Sequence, residues 1–261
     1  MKYLKFYLLA FRMALMEQMT FRENFFMWVL IHSFSLLTYI FFFKIVFSQV
    51  VNINGWGLNE TLLVLGTGNL IGGIGSLTFF PFMYGFSGEV ARGEFDFKLT
   101  KPIDPHFQSA FGYPDIEDMT VVPISLVLVF YAASKLEIQN FELNLVGFVV
   151  LLISSLAILF SILTFFESLA FKFVRVEMAR ELFWSITDLT KYPAKSIHNS
   201  SLIVSAFLLP PALISSVPAE VLFGRFDWPW ILGSVFVAIT SLIISRKIFQ
   251  NALKHYSSAS S

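Results

Sequence analysis

Residues 88–105 read GEVARGEFDFKLTKPIDP and form a polar, charge-rich segment in an otherwise apolar sequence. The segment lies between two apolar blocks that are each long enough to enter or cross a bilayer. Gly88 and Gly93 stand near its front, and Pro102 and Pro105 close it with a Pro-x-x-Pro spacing. Because the segment is so distinct from its surroundings, we expect it to face water on one side of a membrane and to contact another molecule there.

The composition predicts an integral membrane protein. Of the 261 residues, 56% are hydrophobic and 14% are charged, whereas soluble domains are about half apolar and about a quarter charged. The net charge of zero gives no argument for a nucleic-acid partner. The absence of cysteine excludes disulfides, thiolate catalysis and cysteine metal sites. Arg12 and Glu17 interrupt the first apolar run, so we expect no cleavable signal peptide.

The apolar runs predict an all-α membrane protein with six transmembrane helices in a single domain over residues 1–261. The predicted spans cover residues 25–47, 60–86, 119–134, 143–171, 197–217 and 230–245, with a polar segment at 87–118. At the rise of an α-helix the first span is about 34 Å long, which is enough for the hydrocarbon core. A second polar stretch covers residues 172–195.

Residues 1–24 have the pattern of an amphipathic helix. Phe6, Leu9 and Met13 recur at helical spacing, and charged residues such as Arg12 and Glu17 interrupt the rest. A helix of this kind is expected to lie in the plane of the membrane interface. The alternative is a charged flank of the first span.

Lysine and arginine are distributed very unevenly across the six-span arrangement. Fifteen lie on the side that holds both termini and both polar stretches, only Lys135 and Arg225 lie on the other, and Lys44 lies within the first predicted span. Basic residues concentrate in cytoplasmic loops. The count therefore predicts that both termini and both polar stretches are cytoplasmic.

Two spans carry residues that favour close packing or bending. Gly68, Gly72 and Ser76 are four residues apart, so they predict a small-residue ridge on which another helix packs closely. Pro210 and Pro211 lie inside the fifth predicted span and free backbone groups that need other partners. We expect that span to be broken or re-entrant.

Three polar residues lie within the predicted spans and are candidates for a substrate pathway: His32, Asn69 and Glu167. For His32 the simpler interpretation is a hydrogen bond within the helix bundle. For Glu167 it is an ion pair at the membrane edge, since Lys172 follows closely.

The sequence lacks the common catalytic motifs. It has no Gly-x-x-x-x-Gly-Lys-Ser/Thr loop, so we do not expect this chain to hydrolyse ATP itself. It has neither a His-Glu-x-x-His pair nor a Gly-x-Ser-x-Gly elbow. We predict no catalytic residue and no metal site. The pattern suits a permease whose energy comes from another subunit.

Residues 92–103, RGEFDFKLTKPI, resemble the cytoplasmic motif of ABC-2 type transporter permeases, particularly the drug-export-like six-span branch. That motif reads roughly Arg-Gly-Glu-Leu-Asp-x-x-Leu-x-Lys/Arg-Pro-Ile, and here Phe95 replaces its first leucine. The matching residues are Arg92, Gly93, Glu94, Asp96, Leu99, Lys101 and Pro102. Tyr192-Pro193 and the prolines at 210–218 also resemble that branch.

The resemblance implies a permease that pairs with itself or with a sister permease and with two copies of an ABC ATP-binding subunit. ATP and Mg would be bound by that subunit, so no cofactor is expected in this chain. The segment at 87–118 would be the coupling element in a groove of the ATPase. We assign it tight turns at Gly88 and Gly93, charged contacts from Glu89, Arg92 and Glu94, and buried apolar anchors at Phe95, Phe97 and Leu99. Asp96, Lys101 and Pro102 complete the motif, and the alternative is an ordinary solvated loop.

The resemblance further implies a multi-pass protein of the inner (plasma) membrane that exports its substrate by ATP-driven alternating access. The Phe-rich spans suit an amphipathic or lipid-like substrate, with membrane lipid as a further partner. Three alternatives stay open: an ATP-independent secondary transporter or channel, a membrane-embedded enzyme, and a membrane assembly factor without transport activity.

Overall fold

A computed structural model describes residues 1–20, 22–173, 177–193, 209–225 and 228–256. Within these ranges the chain is helical, and its β structure there is limited to one bridge between Ile53 and Trp56. The prediction of an all-α fold is confirmed.

Eleven helices are assigned within the described residues. They are α1 Lys2–Thr20, α2 Arg22–Gln49, α3 Leu58–Thr78, α4 Phe82–Ala91, α5 Asp96–Leu99, α6 Pro105–Phe111, α7 Val121–Ser134, α8 Phe141–Ser168, α9 Glu177–Leu189, α10 Leu209–Leu222 and α11 Trp228–Leu253. A 3-10 turn at Glu117–Thr120 leads into α7, and another at Leu169–Phe171 extends α8.

Five helical segments of the described ranges are long and apolar enough to cross a membrane. They are Arg22–Gln49, Leu58–Ala91, Glu117–Ser134, Phe141–Phe171 and Trp228–Leu253. The protein is therefore a multi-pass membrane protein. Residues 197–208 of the fifth predicted span lie outside the described residues, and α10 is a shorter apolar helix. The sixth span remains a prediction.

The double proline lies at the start of α10, just before a π-helical turn at Ala212–Ser216. The hydroxyl of Ser155 on α8 donates a hydrogen bond to the carbonyl of Ile214 at 2.8 Å. An intramembrane break needs such partners because no water is present to satisfy the backbone. Pro210 and Pro211 thus lie directly before the point where the helix becomes π-helical.

Helix α3 is the most buried of the candidate spans and packs along α7. A Cβ added at Gly66 or at Gly73 would lie 2.9 Å from a side-chain atom of Val129 or Val121, respectively. These two glycines are seven residues apart, so they occupy the same face of α3 and allow α7 to approach.

The predicted ridge of Gly68, Gly72 and Ser76 is therefore not the surface on which α7 packs. A Cβ at Gly68 would lie 2.5 Å from the carbonyl oxygen of Thr190, just past α9, but one at Gly72 would meet nothing within 4 Å. Ser76 is buried and donates a hydrogen bond to Asp118. The three residues are spaced four apart, but Gly68 and Ser76 contact different parts of the chain and Gly72 has open space beside it.

Gly68 and Gly72 provide a matched pair for testing this packing. Gly68→Ala is expected to destabilise the protein by about 1–3 kcal/mol, because its methyl group would overlap a backbone carbonyl. Gly72→Ala is expected to be neutral or stabilising by up to about 1 kcal/mol, since alanine favours a helix and has open space here. Thermal unfolding midpoints of the purified variants in detergent provide the measurement. Equal effects of the two substitutions would contradict this arrangement of α3.

Candidate functional site

The polar segment after α4 folds onto the helix bundle rather than forming a loop. Its turn, α5 and α6 together cover one end of α8 and α11, and we call residues 92–111 the cap. Asp104 begins α6 by accepting a hydrogen bond from the backbone N–H of Phe107 at 3.0 Å, with Pro105 in the first helical position. This is a common way to start a helix.

His106 anchors the cap within the bundle. Its ring stacks on Phe249 of α11 at 4.3 Å between centroids and on Phe160 of α8 at 5.4 Å. Nε2 lies 3.1 Å from the hydroxyl of Thr164, so one polar atom of the buried ring has a partner. Burial lowers the pKa of His106 from 6.5 to about 4, and the imidazole is therefore neutral near pH 7.

Lys98 joins three parts of the cap region. Its ammonium group forms an ion pair with Glu89 of α4 and donates a hydrogen bond to Ser109 of α6 at 3.1 Å. Burial lowers the pKa of Lys98, although the hydrogen bond to Glu89 opposes this. Gln108 donates further hydrogen bonds to the carbonyls of Lys98 and Ile103, at 3.1 and 2.7 Å.

A salt bridge ties the start of α6 to the end of α11. Arg246 lies 2.8 Å from the carboxylate of Asp104. Burial alone would raise the pKa of Asp104, but its hydrogen bonds from Phe107 and Arg246 hold it below the ordinary value. The cap is thus linked to α11 by both an ion pair and the His106 stack.

The turn between α4 and α5 places an ion pair in solvent. Gly93 has a φ of 73°, a left-handed conformation that favours glycine. Gly88, by contrast, lies inside α4, so the predicted tight turn at Gly88 is wrong. Arg92 donates two hydrogen bonds to Glu94, at 2.6 and 2.9 Å, and these lower the pKa of that exposed carboxyl.

The apolar residues of the motif divide between the interior and the surface. Phe95 is completely buried, in ring contact with Phe86, Phe171 and Tyr256. It cannot anchor a partner without unfolding the cap, so that part of the prediction is wrong. The α-helical turn from Asp96 to Leu99 instead leaves Phe97 71% exposed.

Exposed residues of this turn and of the positions beside it form one candidate surface, which we call the docking face. Its members are Arg92, Glu94, Phe97, Leu99, Lys101 and Pro102. Leu99 is 43% exposed, so Phe97 and Leu99 together give the face an apolar centre. Asp96 begins α5 and is half-buried. Aromatic side chains surrounded by polar groups are typical of protein interfaces.

The three candidate pathway residues make separate local contacts. Nε2 of His32 lies 3.0 Å from the carboxylate of Asp118, which is the hydrogen bond within the bundle that the simpler interpretation predicts. Asn69 donates to the carbonyl of Leu65, one turn earlier on its own helix, at 2.9 Å.

Glu167 is 2% exposed, and its Oε2 has no hydrogen-bond partner among the described residues. The predicted ion pair with Lys172 is not formed, because Lys172 is exposed while Glu167 is directed into the bundle. The positive charge of Arg180 on α9 acts on Glu167, and the Arg180 guanidinium donates a hydrogen bond to the carbonyl of Met83 at 3.0 Å.

Sequence analysis did not identify His106, Lys98 and Gln108 as the residues that hold the cap. One signal was available: an aspartate followed by proline is a common start of a helix, and it occurs at Asp104-Pro105. Over the described ranges, no group of three or more His, Asp or Glu side chains could hold a metal ion.

Comparison with protein families matches residues 34–260 to the family described as ABC-2 family transporter protein. The match covers most of the chain, including α3 to α11 and the cap. A search among curated proteins found no match, and a search among solved structures found none.

The buried imidazole predicts a loss of stability in acid. The pKa of His106 is about 4 when folded and 6.5 ordinarily, so the unfolded chain binds a proton first as the pH falls. Between about pH 7 and about pH 5 this residue is expected to remove about 2 kcal/mol of stability. Unfolding midpoints at the two pH values should therefore differ less in His106→Gln than in the wild type.

His255→Gln is the matched control, because His255 lies exposed near the end of the described chain. The control should retain the acid sensitivity of the wild type. If His106→Gln retained it in full as well, His106 would not be the buried neutral group described above.

Proposed function

The chain belongs to the ABC-2 family of transporter proteins, and we propose that a separate ATP-binding subunit drives it by binding the docking face. As a member of that family it is a permease subunit, a membrane component of an ABC transporter that is not itself catalytic. An ATP-binding subunit is the usual kind of partner for the family.

The observation that carries this proposal is the exposed apolar centre of the docking face. Phe97 is held by α5, and α5 is fixed in turn by the buried Phe95 and by the Glu89–Lys98 ion pair. An exposed aromatic side chain on a rigid support is a favourable binding anchor, because little conformational entropy is lost when a partner covers it.

The cap also has the connections needed to pass a motion on to the spans. His106 contacts α8 and α11, and Asp104 forms an ion pair with Arg246 at the end of α11. Well-packed contacts of this kind move as a unit. We infer that movement of the ATP-binding subunits displaces the cap and, through it, α8 and α11, giving alternating access.

The remaining features of the assembly are part of the same proposal. Two permease chains, identical or different, would combine with two ATP-binding subunits, and those would hold ATP and Mg. The charge asymmetry supports cytoplasmic termini and a cytoplasmic docking face, in the inner (plasma) membrane. The Phe-rich spans support an amphipathic or lipid-like substrate, and export is the expected direction.

Truncation of Phe97 tests the proposed interface. The chain would be co-expressed with the ATP-binding subunits of its source, especially any encoded beside it, and purified through a tag on the chain. Phe97→Ala is expected to weaken co-purification of the ATP-binding subunit by at least about tenfold, as expected for the loss of a central aromatic contact.

Phe236→Ala is the matched control, because Phe236 is 68% exposed but lies on α11 within a candidate span. It should co-purify the partner as well as the wild type does. If the partner bound equally to Phe97→Ala and to the wild type, the docking face would be assigned wrongly. A chain that never retains an ATP-binding subunit would favour an ATP-independent transporter or an assembly factor.

A further inference from the structure

A groove runs between α1 and the cap. It contains an open cavity of about 380 Å³, a size in the range of small-molecule sites. Phe6, Leu9 and Met13 of α1 form its apolar wall, and Tyr113 with its neighbours, after α6, lies opposite. This groove is separate from the docking face, although the two share Lys101.

Three charged side chains line this cavity: Glu17, Lys98 and Lys101. The side chains of Lys101 and Glu17 make neither a hydrogen bond nor an ion pair within the described part of the chain. The charge of Lys98, in contrast, is matched by Glu89. Besides burial, the positive charge of Lys101 contributes to the lowered pKa of Lys98, so the two ammonium groups lie near each other. That side of the cavity is therefore the more positive.

The opposite side is negative. A second cavity of about 430 Å³ continues from the first, and the two share Ala14, Glu17, Tyr113 and Pro114. Asp115 and Glu117 line this second cavity. Burial raises the pKa of Asp115, and the neighbouring carboxylate of Asp118 raises it further. The groove therefore has an apolar wall, a positively charged end and a negatively charged end.

Several contacts hold α1 at this position. Lys2 donates a hydrogen bond to the carbonyl of Pro102 at 2.7 Å, and the rings of Tyr3 and Phe107 lie 4.9 Å apart in an edge-to-face arrangement. The side of α1 away from the groove exposes large apolar residues such as Leu8 and Leu15. A helix with exposed apolar and charged residues is suited to the boundary between membrane and water.

We propose that the groove binds one membrane phospholipid that carries both a phosphate and a primary ammonium group, such as phosphatidylethanolamine. The phosphate pairs with Lys101 and the ammonium with Glu17, while an acyl chain lies along the apolar wall of α1. A soluble phosphoamine would leave that wall uncovered, so a lipid is the better match. The bound lipid would join α1 to the cap, and this inference does not depend on the identity of the ATP-binding partner.

Native mass spectrometry of the detergent-purified full chain tests the proposal. The chain is mixed with equal amounts of phosphatidylethanolamine, phosphatidylglycerol, which lacks the ammonium, and phosphatidylcholine, whose methylated ammonium cannot donate a hydrogen bond. The wild type is expected to retain phosphatidylethanolamine in preference to both.

Two substitutions separate the two charges. Glu17→Gln is expected to weaken retention of phosphatidylethanolamine about tenfold, the effect of one lost charge-assisted hydrogen bond, and to leave phosphatidylglycerol unchanged. Lys101→Gln is expected to weaken retention of both lipids. The matched controls are Lys5→Gln on α1 and Glu137→Gln between α7 and α8, neither of which lines the groove.

Equal retention of the three lipids by the wild type would overturn the proposal. So would equal losses in Glu17→Gln and in its control Glu137→Gln, since the effect would then follow net charge rather than the groove. Loss of co-purified ATP-binding subunit is a separate readout, so failure of the lipid site and failure of the proposed partner interface can be distinguished.

Discussion

The stacking of His106 between α8 and α11 is the contact on which the arrangement of the cap depends. A buried imidazole is costly unless its polar atoms are paired and it remains neutral. Thr164 supplies a hydrogen bond at 3.1 Å, and Phe160 and Phe249 supply the ring contacts. With His106 in place, α6 is held against the spans, and Asp104 at its start comes within reach of Arg246.

The fixed position of α6 in turn determines which side of the motif faces solvent. Lys98 reaches Ser109 on α6 and Glu89 on α4, so it holds α5 between them. In this orientation Phe95 enters the aromatic core and Phe97 points away from it. One short polar segment therefore combines an internal anchor with an external surface, and a force applied to the surface acts on the bundle through buried contacts.

The sequence was sufficient for some of these features and not for others. Long apolar runs predict the spans because hydropathy alone decides which helices tolerate a bilayer. Whether Phe95 faces the interior or the solvent depends on its contacts with Phe171 and Tyr256, which are distant in sequence. Which glycines of α3 contact α7 depends on the rotation of α3 about its axis, and the sequence does not give that rotation. The spacing of four residues therefore indicated Gly72, whereas Gly73 makes the contact with α7.

Cysteine accessibility tests the central claim most directly, because the chain contains no cysteine of its own. Phe97→Cys and the buried control Phe95→Cys would be treated with a membrane-impermeant maleimide in sealed vesicles of either orientation, with and without the ATP-binding subunit. We predict that Phe97→Cys is labelled only from the cytoplasmic side and is protected by the subunit, whereas Phe95→Cys is not labelled. Labelling of Phe97→Cys from the opposite side, or labelling that the subunit leaves unchanged, would contradict the account.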